Sequence, residues 1–258
     1  MERPDLDLIR FDGKSAIITG AAQGIGEAVV RAFSKRGARV AVVDLNETGA
    51  EQVAADLRGS GSLAQAIKAD VTRSSEVNAM VRATINLYGS VDILVNAAGG
   101  FTHSLAAEDI DDEEWSRVVD LNLTSTFLCC RAVIPHMKSA RRGRIVNIAS
   151  EAARMPVTLS ASHYAAAKAG VLGLTRHLAR ELGPFGITIN AVAPGTTRTP
   201  RVAALYEADR LAWIEKLTPL GHIAEVADQI GPILFLASDA AGYVSGATLD
   251  VTGGRVML

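Results

Sequence analysis

The chain has 258 residues, 48% hydrophobic and 21% charged, which is enough apolar mass for one large core at a size where α/β proteins often form a single domain. A formal net charge of −2 leaves no electrostatic footprint for nucleic acid, and the densest basic cluster, Arg141, Arg142 and Arg144, reads instead as the C-terminal cap of a helix. The only two cysteines, Cys129 and Cys130, are adjacent in an apolar helical pattern, which suits neither a disulfide nor a zinc site and predicts reduced thiols in a soluble, cytoplasmic protein.

The N-terminal residues Met1 to Asp5 have no apolar signal core, and no apolar run reaches the ~18 residues of a membrane span. From there, short β-branched runs at 16–19, 39–44, 63–68, 93–96, 144–149, 188–192 and 247–251 alternate with amphipathic ones, such as Val77, Val81, Ile85 and Val118, Leu121, Leu128, Val133. Strands alternating with helices predict right-handed crossovers and a doubly wound parallel sheet of about seven strands, covered by helices on both faces in one domain over 1–258. The stretch 194–220 shows no strand pattern. It reads as a short helix pair in a long connection, a substrate lid at about 196–220.

The first strand ends in Gly20, Ala21, Ala22, Gln23, Gly24, Ile25 and Gly26 and leads into a helical run. Glycines there permit a tight turn and let a pyrophosphate approach the backbone, while the helix N-terminus supplies N–H donors and positive potential. The second strand ends at Asp44, eighteen residues past Gly26. A carboxylate at that edge accepts both ribose hydroxyls and repels a 2′-phosphate, and neither Gln23 nor Leu45 offers the positive charge such a phosphate needs. NAD is therefore expected over NADP, although an aspartate at a strand end also serves simply to open a turn. Asp70 and Val71 follow the third strand, and Asn96, Ala97, Ala98 and Gly99 follow the fourth. Small residues with an asparagine let a flat ligand come close, and taken alone they are equally ordinary loop residues.

The fifth strand run ends at Ser150, fourteen residues before Tyr164. Tyr164 and Lys168 are four apart with three alanines between them, so on a helix both project from one face. A free tyrosine titrates near ~10, and an ammonium close by favours phenolate and lowers that value toward neutrality, making a usable acid/base. The same spacing on a surface helix would be decoration, and the serine-terminated strand upstream is what gives it weight. His163 adjoins Tyr164 but points about a quarter-turn away.

In order and spacing, these residues, with Asn122 between Leu121 and Leu123 and with Pro194 and Gly195 leading to Thr199, resemble the short-chain dehydrogenase/reductase family over roughly 13–254. The resemblance implies a Rossmann-type fold and a cofactor held by the glycine turn, Asp44 and Leu45. It also places Asp70 and Val71 at the adenine end, Asn96 along the ribose, and Thr199 with the backbone of Thr197 at the nicotinamide amide, and it counts Ala97, Gly99, Pro194 and Gly195 among the cofactor-binding residues. Asn122 would hold a water in a relay ending at Lys168. Two departures stand out: Val95 replaces a common asparagine, and the Ser150 to Tyr164 spacing is one residue longer than usual.

Given that resemblance, Tyr164 is the base that takes the hydroxyl proton while hydride leaves a secondary alcohol carbon. Ser150 fixes the same oxygen, and Lys168 tunes Tyr164 and binds the nicotinamide ribose. No step requires a metal, and no cluster has ligand spacing. A cofactor-binding regulator on the same fold is the second reading, and this chain keeps all four catalytic residue types. The apolar runs 115–137 and 164–182 imply burial beyond the chain's own sheet, and members of the family pair such helices, so a homotetramer, or else a dimer, is expected. The substrate pocket is expected between 100–103, 151–163 and 198–217, with Phe101, Met155, Leu159, Tyr206 and Trp213 as apolar walls and Arg154, Arg198 and Arg201 as candidates for an anionic group. These suit a cyclic or medium-sized secondary alcohol, with 3-oxoacyl-thioester reduction as the alternative. Against that alternative, Phe185 stands where carrier-protein reductases tend to carry a basic residue.

Overall fold

β-branched side chains are stiff and pack well on a pleated surface, and unbroken runs of them mark a parallel sheet buried on both faces. The computed structural model describes residues 9–100, 104–157 and 160–257, and there each of the seven runs is a strand. In chain order the elements are β1 Ser15–Thr19, α1 Gly24–Ser34, β2 Arg39–Asp44, α2 Glu47–Gly59, β3 Ala64–Lys68, α3 Ser74–Tyr88 and β4 Ile93–Asn96. Next come α4 Asp112–Val119, α5 Ser125–Ala140, β5 Gly143–Ile148, α6 Ser162–Leu182, β6 Ile187–Pro194, β7 Thr197–Arg198, α7 Pro200–Leu205, α8 Ala208–Leu217, β8 Ala224–Glu225, α9 Val226–Ala237 and β9 Thr248–Val251.

Seven strands form one parallel sheet in the order β3-β2-β1-β4-β5-β6-β9. Alternate strand residues serve opposite faces. Ile18, Val42 and Val146 pack with Val30 and Phe33 of α1, Val53 and Leu57 of α2 and Ile233 of α9. Ile17, Val43, Leu94 and Ile145 pack with Met80 of α3, Cys130 and Val133 of α5 and Leu178 and Leu182 of α6. Because β2 lies on one side of β1 and β4 on the other, the chain reverses direction across the sheet there and opens a crevice at the strands' C-terminal ends. This is the expected single-domain, doubly wound fold.

Two expectations need correction. The stretch 194–220 does hold a strand, since β7 pairs in parallel with β8 outside the main sheet; two residues are too few to leave a periodic trace in sequence. The second concerns membrane-length segments. α4 and α5 are joined by a widened turn, Asp120–Thr124, in which Ser125 N bonds Asp120 O, so Asp112–Ala140 is one continuous helical segment of 29 residues, apolar enough over part of its length to match a span. Its Leu128, Cys129, Cys130, Val133 and Met137 are instead buried in the domain's own core. Both cysteines are free thiols, and burial pushes both up, Cys130 to about 12. Arg141 caps α5 in a left-handed conformation (φ 51°), as the basic cluster suggested.

Candidate active site

The crevice is a cleft of about 660 Å³. Its floor is the turn between β1 and α1. A Cβ on Gly20 would lie 2.7 Å from Ala98 Cα, and one on Gly26 would lie 2.1 Å from Gly20 O, so both positions exclude any side chain and the strand ends close up tightly. Gln23 makes no side-chain cap to α1, so among the described residues no cap side chain occupies the first-turn N–H groups of Gly24, Ile25 and Gly26, which line the cleft. Asp44, at the end of β2, accepts from Ala22 N through Oδ2 and from Asn46 N through Oδ1, each at 2.9 Å. The carboxylate therefore braces the turn and still lines the cleft, with lone pairs to spare. Leu45, Asp70 and Val71 continue the wall, with Asp70 fixed by Thr72 Oγ1 at 2.6 Å and Thr72 N at 2.9 Å.

At the other end, β5 delivers Ser150 and α6 delivers Tyr164 and Lys168. The Ser150 and Tyr164 side chains are hydrogen-bonded to each other. Lys168 Nζ donates to Ile148 O at 2.8 Å and lies 5.8 Å from the Tyr164 ring centroid. The titration expected from sequence is corrected here. Burial raises the Tyr164 phenol, against the opposing Ser150 hydrogen bond and the nearby Arg201 charge. Burial first, and then Arg201, bring Lys168 down to about 7. The cleft walls desolvate both groups, so Tyr164 rests in its protonated, proton-donating form at neutral pH.

Other expected residues are placed less simply. Asn122 is fully buried; its Nδ2 donates to Gly100 O at 2.8 Å and to Val118 O at 2.9 Å, and its Oδ1 accepts from Gly100 N at 2.8 Å, so it clamps the loop after β4 from the widened helical turn. Asn96 does not line the cleft. Its register opposite Asn147 turns it into the core, where Nδ2 donates to Asn147 Oδ1 at 2.8 Å; Ala97 and Gly99 do line the cleft. Pro194, Gly195, Thr197 and Thr199 line it too, with Thr199 Oγ1 capping α7 at Val202 N. His163 is fully buried, accepts from Tyr164 N through Nδ1 at 2.9 Å, and bonds Glu114 through Nε2 at 3.3 Å; it ties α4 to the start of α6 and has no access to substrate.

Of the expected pocket walls, Tyr206 lines the cleft, while Trp213 is exposed under the Arg210 guanidinium, 4.5 Å from its ring, and Met155 is not at the cleft. Phe101, Thr102, His103 and Leu159 lie outside the described residues. Arg154 pairs with Asp250 at 3.1 Å, and Arg198 pairs with Glu215 and, at 3.2 Å, with Glu225. Only Arg201 of the three lines the cleft. Glu151, expected only as the start of a pocket wall, lines the cleft buried beside Ser150 and is paired with Arg255 at 3.0 Å from 104 residues away. The acid next to the serine was visible, but its distant partner was not.

The chain is similar to known proteins over nearly its whole length. A family model described as "Enoyl-(Acyl carrier protein) reductase" matches residues 20–255. The chain is 39% identical to D-threitol dehydrogenase of Mycolicibacterium smegmatis over 95% of its length and 94% of the relative's. It is 38% identical to the 3-oxoacyl-[acyl-carrier-protein] reductase of Vibrio cholerae over 97% of its length and 100% of the relative's. The solved structure of a short-chain type dehydrogenase/reductase from Mycobacterium marinum superposes with a TM-score of 0.93 at 35% identity, covering 98% of this chain and 99% of that one.

Proposed function

The chain belongs to the short-chain dehydrogenase/reductase family, and from that premise we propose that it interconverts a cyclic or medium-sized secondary alcohol and its ketone with NAD(H), using Tyr164 as the acid/base. The observation that carries this reading is the hydrogen-bonded Ser150 and Tyr164 pair, with Lys168 beside it, at one end of a cleft whose other end is a glycine turn and a carboxylate. The donor set fits a nicotinamide dinucleotide: a turn that closes tightly only because Gly20 and Gly26 lack side chains, α1 amides that Gln23 leaves uncapped for a pyrophosphate, and Asp44 for ribose hydroxyls. When bound, that cofactor supplies the hydride acceptor or donor. Ser150 holds the substrate oxygen, Tyr164 moves the proton at that oxygen, and Lys168 supports Tyr164 electrostatically.

Asp44 is followed by apolar Leu45 and neutral Asn46, and its cross-strand neighbour Lys68 is paired with Glu47 at 3.3 Å, which supports NAD over NADP. Leu121, Val157, Val202 and Leu205 give the substrate end an apolar lining that suits a carbon skeleton better than a sugar. Thioester reduction is the second reading, favoured by the similarity to a carrier-protein reductase. We place the protein in the cytoplasm, in keeping with its two free thiols. The lid over 196–220 and a homotetrameric assembly belong to the same reading. A screen of purified protein against cyclic alcohols, diols and 3-hydroxyacyl thioesters, following NADH, tests it. NAD-linked alcohol oxidation is expected, and NADPH-dependent reduction of a 3-oxoacyl thioester without any alcohol oxidation overturns it.

A further inference from the structure

Among the described residues, five charged side chains line the cleft: Asp44, Asp70, Glu151, Lys168 and Arg201. Each acid is already engaged. Asp44 holds backbone amides, Asp70 holds Thr72 and Arg73, and Glu151 is paired with Arg255. Among the described residues neither basic side chain has an acid partner: Lys168 donates to the Ile148 carbonyl beside the Tyr164 ring, and Arg201 donates to the Gly99 carbonyl. Arg201 rises from the first turn of α7, and its guanidinium enters beside Gly100, where a Cβ would lie 1.5 Å from Nη1. Only a glycine at that position admits it. Gly99 is thereby flanked by both cations, since a Cβ on Gly99 would lie 3.1 Å from Lys168 Nζ while its carbonyl accepts from Arg201. Anchored through one N–H, the guanidinium keeps further donors in a planar fork that matches a carboxylate. Val202, Leu205 and Tyr206 on the same segment supply an apolar wall beside it.

We propose that Arg201 receives a carboxylate on the substrate itself, so that the alcohol oxidised here is a hydroxy acid whose carbon skeleton lies between Tyr164 and α7. The inference rests on the alcohol-oxidising reading above. It accounts for the third arginine of the region facing the cleft with no acid partner among the described residues, while Arg154 is paired with Asp250 and Arg198 with Glu215 and Glu225. It also accounts for a cation standing where it raises the local positive potential around Tyr164 and Lys168, a cost that an anionic substrate offsets.

The test uses the full chain with NAD and compares hydroxycyclohexanecarboxylates and 3-hydroxybutyrate with their methyl esters, which are neutral and close in shape, alongside a 3-hydroxyacyl-CoA thioester. A charge-assisted bidentate contact predicts a kcat/KM advantage of about 10- to 100-fold for acid over ester. That ratio should fall toward one in Arg201→Met, chiefly through KM for the acid, and be partly restored in Arg201→Lys. Calorimetry with unreactive cyclohexanecarboxylate should show binding to the wild type that weakens about tenfold or more in Arg201→Met. If esters or thioesters are oxidised as well as the acids, or if the ratio survives in Arg201→Met, the carboxylate site is refuted and the reaction class stands. If Arg201→Met weakens NAD binding and leaves carboxylate binding alone, the arginine serves the cofactor and the proposal also fails. Should nothing turn over, the reaction class is what falls, and the calorimetric comparison still decides for or against the carboxylate site.

Discussion

Lys168 Nζ donates to the carbonyl of Ile148 at 2.8 Å, which fastens the helix carrying Tyr164 to the last residue of β5, two positions before Ser150. The lysine is 3% exposed, and holding its charge there opposes folding. It titrates at about 7 instead of 10.5. Between those values the unfolded chain binds the additional proton, so raising the pH through this window favours the folded state. Lys168→Met lacks that titration. Thermal unfolding of the apoprotein from pH 6 to pH 10 should therefore show the wild type gaining on the variant, by a difference on the order of a few kcal/mol across the window. A parallel pH dependence in the two proteins would mean the lysine is solvated. Turnover in the variant should be lost throughout.

Tyr164 rests protonated because burial outweighs both the Ser150 hydrogen bond and the Arg201 charge. Tyr164→Phe keeps the ring and removes the transferable proton. Turnover should drop by about 10²- to 10⁴-fold, while cofactor affinity, read by fluorescence or calorimetry, stays near that of the wild type. Near-normal activity would remove Tyr164 from the chemistry.

How far sequence reached depended on the range of the interactions concerned. The strands were legible because burial on both faces writes unbroken β-branched runs, as in the fully buried β6. The glycine turn and the Tyr164 and Lys168 spacing were legible because each is a local constraint of sterics or helix periodicity. Asn96 misled because its residue type suits a strand end, whereas register decides which face it meets, and here that face holds Asn147 and Cys130. Trp213 misled in the same way on α8. The pairing of Glu151 with Arg255, and of His163 with Glu114, depends on tertiary closure over 104 and 49 residues, which no local pattern encodes. The Tyr164 titration was misjudged because spacing reveals the nearby charge and not the desolvation around it.

Asp44 combines two jobs, bracing the turn through Ala22 N and Asn46 N and presenting acceptors to the cleft. Asp44→Ala should lower stability by about 1–3 kcal/mol, because charge-assisted backbone bonds are lost, and should weaken NAD binding while relaxing discrimination against NADP. Asp44→Asn retains one acceptor oxygen, so it should recover part of the stability without recovering the repulsion of a 2′-phosphate. Binding constants for both cofactors, set beside the unfolding midpoints of the three proteins, separate the two roles. A wild type that already prefers NADPH would show that Asp44 is only a brace.

Assembly follows from surface left apolar after the sheet is covered. On the continuous segment Asp112–Ala140 the core takes Val118, Leu128, Cys129 and Val133, yet Trp115 and Phe127 remain 45% and 41% exposed. On α6, Ala166 and Ala169 are exposed, and such small residues allow a second helix to approach closely. Two large aromatics left in water on one segment and a small-residue face on the next are what a helix pair shared with symmetry mates would bury, and isologous contacts on two faces build a tetramer of dihedral symmetry. Light scattering at micromolar concentration should give four times the 27.1 kDa of one chain. Trp115→Glu, placing a charge where the partner would pack, should shift the mass to that of a dimer or monomer. Because α4 is tied through Glu114 and His163 to the start of the Tyr164 helix, the dissociated variant should also lose activity, restored in part at high protein concentration. A wild type that stays monomeric, or a Trp115→Glu variant that keeps the wild-type mass, would show that these aromatics are simply solvent-facing.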